Sequence, residues 1–218
     1  WDNGEFETIH DAEQSLEKFA TPGMKKISTL SKGLNIPENE LVKTFFVKFI
    51  HGNDVQFMAV LCPGDREVNL IKVKKVVGET VEPMLATDEE VFQVSKAHPG
   101  SCGPVGLTIP VVLDSALSHR KNFIVGANQD GFHYKNTCIG RDFKAAFTGD
   151  VGLAIPGDTC PSCGNKLKSV RGSEVGHIFY LGKKYAEPMG VKFLDQAGNT
   201  QITEMGCYGI GVTRTVQA

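Results

Sequence analysis

Three things are missing from this 218-residue chain. There is no run of about 18 apolar residues, the length that a membrane-spanning helix needs. Neither charge dominates: 23 Lys and Arg stand against 25 Asp and Glu, a net charge of −2. A broad basic face wrapping nucleic acid is therefore not indicated, although a local contact stays open. Clustered cysteines are also lacking. The six at positions 62, 102, 138, 160, 163 and 207 include a single close pair, which argues against a secreted disulfide scaffold and for mostly buried thiols. The opening "WDNGEFETIH" has no basic n-region and no apolar h-region, so the expected location is cytoplasmic, with no membrane partner. No internal repeat is visible.

What is present is a composition for folding, with 41% hydrophobic and 22% charged residues. Met24, Ile27, Leu30 and Leu34 recur at helical spacing, which predicts a helix over 23–33 ending at Gly33, and Pro37 opens a shorter helical segment. "TFFVKFI" and "VQFMAVLC" are β-branched and aromatic runs joined by "HGND", a hairpin signal. Asn69 is placed to cap a helix through Val77, and Thr87 or Asp88 another through Ser95. A Gly/Pro-rich stretch, "HPGSCGPVGLTIP", leads into the apolar strand "VVLD", and "NFIVGAN" and "FHYKNT" flank the turn Gln129-Asp130-Gly131. Locally paired strands with inserted helices predict an α/β chain of the α+β type, with a mixed, largely antiparallel twisted sheet and surrounding helices.

The texture changes between about 150 and 165, and a boundary is expected there, giving domains over 1–160 and 161–218. Cys160-Pro161-Ser162-Cys163-Gly164 is half of a zinc knuckle. A structural zinc site needs four ligands, so Cys160 and Cys163 are only weak metal candidates and a tight turn is the preferred reading. The tail carries Gly209-Ile210-Gly211-Val212-Thr213-Arg214. A dinucleotide fingerprint wants a third glycine where Arg214 stands; glycines allowing close approach to a nucleotide and a guanidinium for phosphate oxygens fit the hexapeptide better. A strand-to-helix turn with a surface arginine fits it equally.

Residues 171–218, "RGSEVGHIFYLGKKYAEPMGVKFLDQAGNTQITEMGCYGIGVTRTVQA", closely resemble the C-terminal part of the catalytic core of bacterial-type prolyl-tRNA synthetases, a class II family whose third motif is G-x-G-x-x-R. The resemblance implies a partial class II antiparallel sheet segment in which Arg214 contacts ATP phosphate. Glu174, His177, Cys207, Gly209 and Gly211 would lie near the proline and adenylate pocket. The family's earlier arginine motif and dimer-forming motif have no candidate between 1 and 170, so the ligation site is expected to be only partly encoded here.

In that family an editing domain that hydrolyses alanine mischarged onto the proline tRNA is inserted before the third motif. "TPGMKKISTLSKGLNIPENELVKTFFVK", "PGSCGPVGLTIPVVLD" and "GANQDGFHYKNTCIGRD" resemble it in the family's order. The resemblance implies that Lys43 is the domain's characteristic lysine, holding a phosphate or the terminal ribose as a compact charge. It implies that Gly100, Gly103 and Pro104 belong to the G-x-x-x-P loop, where converging N–H groups polarise an ester carbonyl. Asp114, ending "IPVVLD", either orients the substrate amine or caps the next segment, and His133 lines an alanine-sized pocket. Cys102 in the loop lacks an indicated base, so direct attack by water is expected.

The function implied is thus part of a proline–tRNA ligase whose complete activity in this chain is hydrolysis of Ala-tRNA(Pro). Editing is expected to need no cofactor, while ATP, Mg²⁺ and proline belong to the intact, homodimeric parent. The tRNA(Pro) 3′ acceptor end is the expected partner, and Lys72, Lys74 and Lys75 add local positive charge unless they form a solvated helix face. The alternatives are a non-catalytic module that binds the acceptor end and a self-sufficient ligase.

Overall fold

The structure is a computed structural model that describes residues 12–217, and the chain divides into two compact units between Lys168 and Ser169. The first unit is built on two sheets. The larger contains β2 (Val42–His51), β3 (Asp54–Pro63), β4 (Met84–Leu85), β5 (Val111–Asp114) and β8 (Phe147–Gly149), in the order β4-β2-β3-β5-β8. The smaller contains β1 (Glu17–Ala20), β6 (Phe123–Gly126) and β7 (Phe132–Thr137), in the order β1-β7-β6. Pairings β2–β3, β2–β4, β1–β7 and β6–β7 are antiparallel, whereas β3–β5 and β5–β8 are parallel. This is the mixed, largely antiparallel α+β arrangement that the sequence predicts.

The larger sheet is covered on both faces, and the chain shows it as unbroken apolar runs. Along β3, Ala59 and Leu61 face one core with Val42, Phe46, Val111 and Leu113, while Met58, Val60 and Cys62 face the other with Val47, Phe49 and Val112. The second core is closed by Val73 of α2 (Leu70–Val77), the first by Val91 of α3 (Asp88–Ser95). The hairpin between β2 and β3 turns through Gly52-Asn53, with Gly52 at φ +63°, a conformation that glycine adopts without strain. Asn69 Oδ1 accepts the N–H groups of Ile71 and Lys72 at the start of α2. At α3, Thr87 is the cap: its N–H donates to Glu90 Oε2 at 2.8 Å in a capping box.

The first helix departs from expectation. α1 runs Ile27–Leu34, because Thr21 to Met24 form a turn with Gly23 at φ +75°. Gly33 lies inside the helix, where any Cβ would meet the Met24 thioether, and Asn35 at φ 55° ends it. The helix lysines are also less free than the sequence suggests. Lys72 donates to both Asp150 oxygens at 2.8 Å and to the Gly152 carbonyl, and Lys74 pairs with Glu82 at 2.6 Å.

Asp114 requires a correction. It is 4% exposed, and its Oδ2 accepts the N–H groups of Val151 and Gly152 at 3.0 and 2.8 Å while Oδ1 accepts that of Ala116 at 2.9 Å. Of the two readings, the cap is the one whose contacts are seen: the carboxylate fastens the end of β5 to the segment after β8. Nearby, Arg66 grips the buried Asp158 with two parallel bonds of 2.6 and 2.7 Å, and this holds the ribbon bearing Cys160 against the unit.

The second unit has two small antiparallel ladders. β9 (Gly176–Gly182) pairs with β12 (Met205–Ile210), and β10 (Lys192–Leu194) with β11 (Thr200–Ile202). The short helix α4 (Val212–Gln217) follows β12.

Replacing Asp114 by Asn keeps the shape but turns an amine toward N–H donors. The expected result is a loss of about 1–3 kcal/mol in urea unfolding, with KM for any substrate unchanged. A raised KM at unchanged stability would return Asp114 to the binding site.

Candidate active site

A cavity of about 410 Å³ opens in the first unit, with Lys43, Thr44, Gly100, Cys102, Gly126 and His133 among its walls. β2 supplies Lys43 and Thr44, β6 ends at Gly126, β7 supplies His133, and the segment after α3 supplies Gly100 and Cys102. Three of the residues singled out by sequence, Lys43, Gly100 and His133, therefore border one space.

The Gly100–Pro104 loop is shaped by backbone packing. Gly100 adopts φ +95°, and a Cβ there would strike the backbone of Lys25. A Cβ on Gly103 would strike the Gly126 carbonyl, and one on Gly126 would strike the backbone of Ser101 and Cys102. Gly103 does not offer its N–H to the cavity as expected, because that group donates to Asn128 Oδ1 at 2.9 Å. Among the described residues, the N–H groups of Gly100 and Cys102 reach no acceptor, and both residues line the cavity. Gly103 and Pro104 are buried and lie outside the cavity lining.

Asn128 holds this loop in place. Its side-chain amine donates to the carbonyls of Gly103 and Val105 at 3.0 and 2.8 Å, and its own N–H donates to the Ser101 carbonyl at 2.9 Å. Asp130 holds the start of the loop: Oδ1 accepts the His98 N–H at 2.8 Å, and Oδ2 lies 2.6 Å from His98 Nδ1. In sequence Asn128 reads as the end of the strand "NFIVGAN" and Asp130 as part of the turn that follows. Asn128 takes φ 50°, and nothing local announces that its amide reaches back 25 positions.

His133 is 5% exposed, and burial pushes its pKa down from 6.5 to about 4, so the ring is neutral at physiological pH. Its Nδ1 lies 2.6 Å from the hydroxyl of Thr21, itself 2% exposed. The β1–β7 register brings these together by pairing Phe19 with His133, with Thr21 just beyond the end of β1. Cys102 is no nucleophile here. Its thiol donates toward the Ala97 and His98 carbonyls, and burial raises its pKa.

Lys43 borders the cavity but does not aim its ammonium into it. Paired with Cys62, it shares the sheet face of the α2-side core, and Nζ donates to Glu67 Oε1 at 2.7 Å and to the Arg66 carbonyl at 3.1 Å. Thr44, one residue on, takes the opposite face by the period-2 rule. Its Oγ1 is buried and unpartnered among the described residues.

Cys160 and Cys163 sit at the tip of a small ribbon closed by the Thr159–Lys166 bridge, with the Gly164 N–H donating to the Cys160 carbonyl at 2.8 Å. Among the described residues no third His, Cys, Asp or Glu joins them in a metal-binding group. In the second unit, the β9–β12 register sets Gly209 beside His177 and Cys207 beside Phe179. His177 Nδ1 lies 3.4 Å from Glu174 Oε1 and its ring stacks on Phe179 at 4.0 Å. The Gly211 N–H donates to the Val175 carbonyl at 2.8 Å. Arg214, exposed on α4, donates to the Glu174 carbonyl at 3.0 Å. Glu174 and Arg214 line one open hollow, which His177, Cys207, Gly209 and Gly211 do not.

The chain matches the aminoacyl-tRNA editing domain family over residues 21–141. It is 44% identical over 203 residues to the proline–tRNA ligase of Syntrophomonas wolfei, covering 93% of this chain and 35% of that one. To the proline–tRNA ligase of Geobacter sulfurreducens it is 44% identical over 211 residues, covering 96% and 36%. The chain thus spans about a third of the length of these relatives. A solved structure described as a proposed trans-editing enzyme for prolyl tRNA synthetase matches with a TM-score of 0.52 over 64% of this chain and 87% of that one. Its identity is 18%, a likeness of fold. The cavity and its glycine loop therefore lie inside the matched region, and the chain belongs to the aminoacyl-tRNA editing domain family.

Proposed function

We propose that this chain hydrolyses the ester linking alanine to the 3′ end of tRNA(Pro). The observation that carries the reading is the meeting, in one cavity, of a neutral buried His133 with a glycine loop whose Gly100 and Cys102 N–H groups have no acceptor among the described residues. The names of the relatives and of the structural neighbour point the same way. In this reading the two N–H groups polarise the ester carbonyl and receive the developing oxyanion. Water adds to the carbonyl carbon, the bond to the ribose oxygen breaks, and the water's proton passes to that oxygen, releasing alanine and a free terminal hydroxyl. No side-chain nucleophile takes part, in keeping with the raised pKa of Cys102.

A synthetic pocket shaped for proline discriminates against alanine by only about 1–3 kcal/mol, because a pocket cannot exclude a smaller apolar group strongly. A second site that admits alanine and excludes proline supplies the missing selectivity. Lys43 contributes by leaving Glu67, which is 64% exposed, for a phosphate of the acceptor end. An exposed pair of this kind is worth no more than about 1 kcal/mol, so the exchange is easy. The second unit, with Arg214, Glu174 and the Gly209–Gly211 turn, is read as one side of the ATP and proline site of the longer relatives, where ATP and Mg²⁺ act. On this reading the 218-residue chain does not catalyse proline-dependent pyrophosphate exchange.

Deacylation assays with alanyl- and prolyl-tRNA(Pro) test the reading directly. Hydrolysis of the alanyl ester with the prolyl ester spared is expected, and Lys43→Ala should abolish it. Equal rates on both esters overturn the sieve, and acceptor-end binding with no turnover in the unaltered chain establishes the non-catalytic module instead.

Asn128→Asp retains an acceptor for Gly103 but loses both donors to the loop. A fall in kcat of about 10²-fold, the scale of one misplaced oxyanion donor, is expected with KM nearly unchanged. Equal loss of both parameters would mean that the whole cavity collapses.

The pH dependence follows from His133. Its folded pKa of about 4 lies below the ordinary 6.5, so the unfolded chain takes up a proton first as pH falls. His133 therefore costs no stability above pH 6.5 and erodes it progressively between about 6.5 and 4. His133→Gln should flatten this part of the stability curve, measured by thermal unfolding across that range.

A further inference from the structure

We infer that Lys25 and Lys26 form a cationic rim that grips the phosphodiester backbone of the single-stranded acceptor end and feeds its terminus into the cavity. This rests on the reading of the cavity as a site for an RNA 3′ end. Both lysines line the cavity and both are exposed. Neither makes an ion pair within 4 Å among the described residues, in contrast to Lys43, Lys48, Lys72 and Lys74, which are each held by a carboxylate.

The carboxylates facing this rim are few and already engaged or distant. Asp130 acts on Lys25 only at long range, because its two oxygens take the His98 N–H and lie against the His98 ring. Glu38 is the one acidic residue in the cavity lining, against the three lysines 25, 26 and 43. In a chain with net charge −2, two lysines unpaired among the described residues therefore stand together at the cavity where, in this reading, a polyanion arrives.

The position of the rim relative to the glycine loop gives the charge a purpose. The backbone of Lys25 occupies the space where a Gly100 side chain would stand. The two cations thus start from a main chain in contact with the loop whose Gly100 and Cys102 N–H groups are unpaired among the described residues. A phosphate held by Lys25 or Lys26 sits one nucleotide or so from an ester held at the loop. Exposed lysines do this well because each is a compact, freely rotating charge that can follow a flexible strand.

The experiment measures the dissociation constant of an RNA minihelix with a single-stranded CCA end, uncharged, against salt from about 50 to 300 mM. Neutralising one single-strand phosphate contributes a slope of about 0.7 in log K against log salt. The double variant Lys25→Gln/Lys26→Gln is expected to lose about 1.4 from the slope and on the order of tenfold in affinity near 0.1 M. Lys144→Gln/Lys168→Gln, at two exposed lysines outside the cavity lining, removes the same charge and should leave the slope in place. A slope unchanged in the double variant, or reduced as much in the control, overturns the rim. The proposal and the hydrolase reading fail separately: a chain that deacylates normally with an unchanged slope loses the rim alone. One that shows the slope change but never deacylates loses only the hydrolysis.

Discussion

Backbone-to-backbone contact at the Gly100–Pro104 loop is the constraint on which the rest of this site depends. The loop is wedged between the main chain of Lys25 and the end of β6 at Gly126, and a Cβ at Gly100, Gly103 or Gly126 would collide with main-chain atoms. Main chain does not rotate aside as a long side chain does, so no substitution at these three positions is relieved locally. The benefit of such contact is that N–H groups are placed by covalent geometry and by the sheets behind them, with no rotamer entropy to lose. Asn128 completes the arrangement by occupying the polar groups of Gly103 and Val105 that face away from the cavity. The N–H groups of Gly100 and Cys102 are what remains.

Under the proposed reading, a cavity with a neutral imidazole, a protonated thiol and backbone donors unpaired among the described residues suits hydrolysis of an ester. An ester has a better leaving group than an amide, and an aminoacyl ester of a ribose needs only a polarised carbonyl and a positioned water. In that reading electrostatic preorganisation, usually the largest single contribution to catalysis, comes from main chain, and side chains shape the space.

The fold was legible to the extent that its signals were local. The β2–β3 hairpin is announced by two apolar runs around Gly52-Asn53, and the caps at Asn69 and Thr87 by residue type and spacing. The start of α1 was less so, because the turn at Gly23 competes with the apolar period that begins at Met24, and Gly33 serves packing against Met24 instead of termination. In the site, Lys43, Gly100 and His133 were found through resemblance and do border one cavity. Thr21 and Asn128 carry no local signal of their roles, because their partners are 112 and 25 positions away. Asp114 was read in two ways, and only the position of Val151 and Gly152 decides between them.

Lys43 shows why strand parity matters more than proximity in a sheet covered on both faces. The pattern of β2 places residues 43, 45, 47 and 49 toward the α2-side core and residues 42, 44 and 46 toward the α3-side core. A side chain at 43 can therefore border the cavity with its stem while its ammonium lies with Glu67 and the Arg66 carbonyl. Thr44, on the other face, has a buried hydroxyl without a partner among the described residues, and the lysines of the cavity lining unpaired among those residues belong to a segment outside the sheet, where no parity applies. In the proposed reading, charge for capturing a flexible anionic strand is thus carried on an exposed segment, and geometry for the reaction on the sheets and the glycine loop. The two demands differ because a polyanion must be met in many positions, whereas an oxyanion must be met in one.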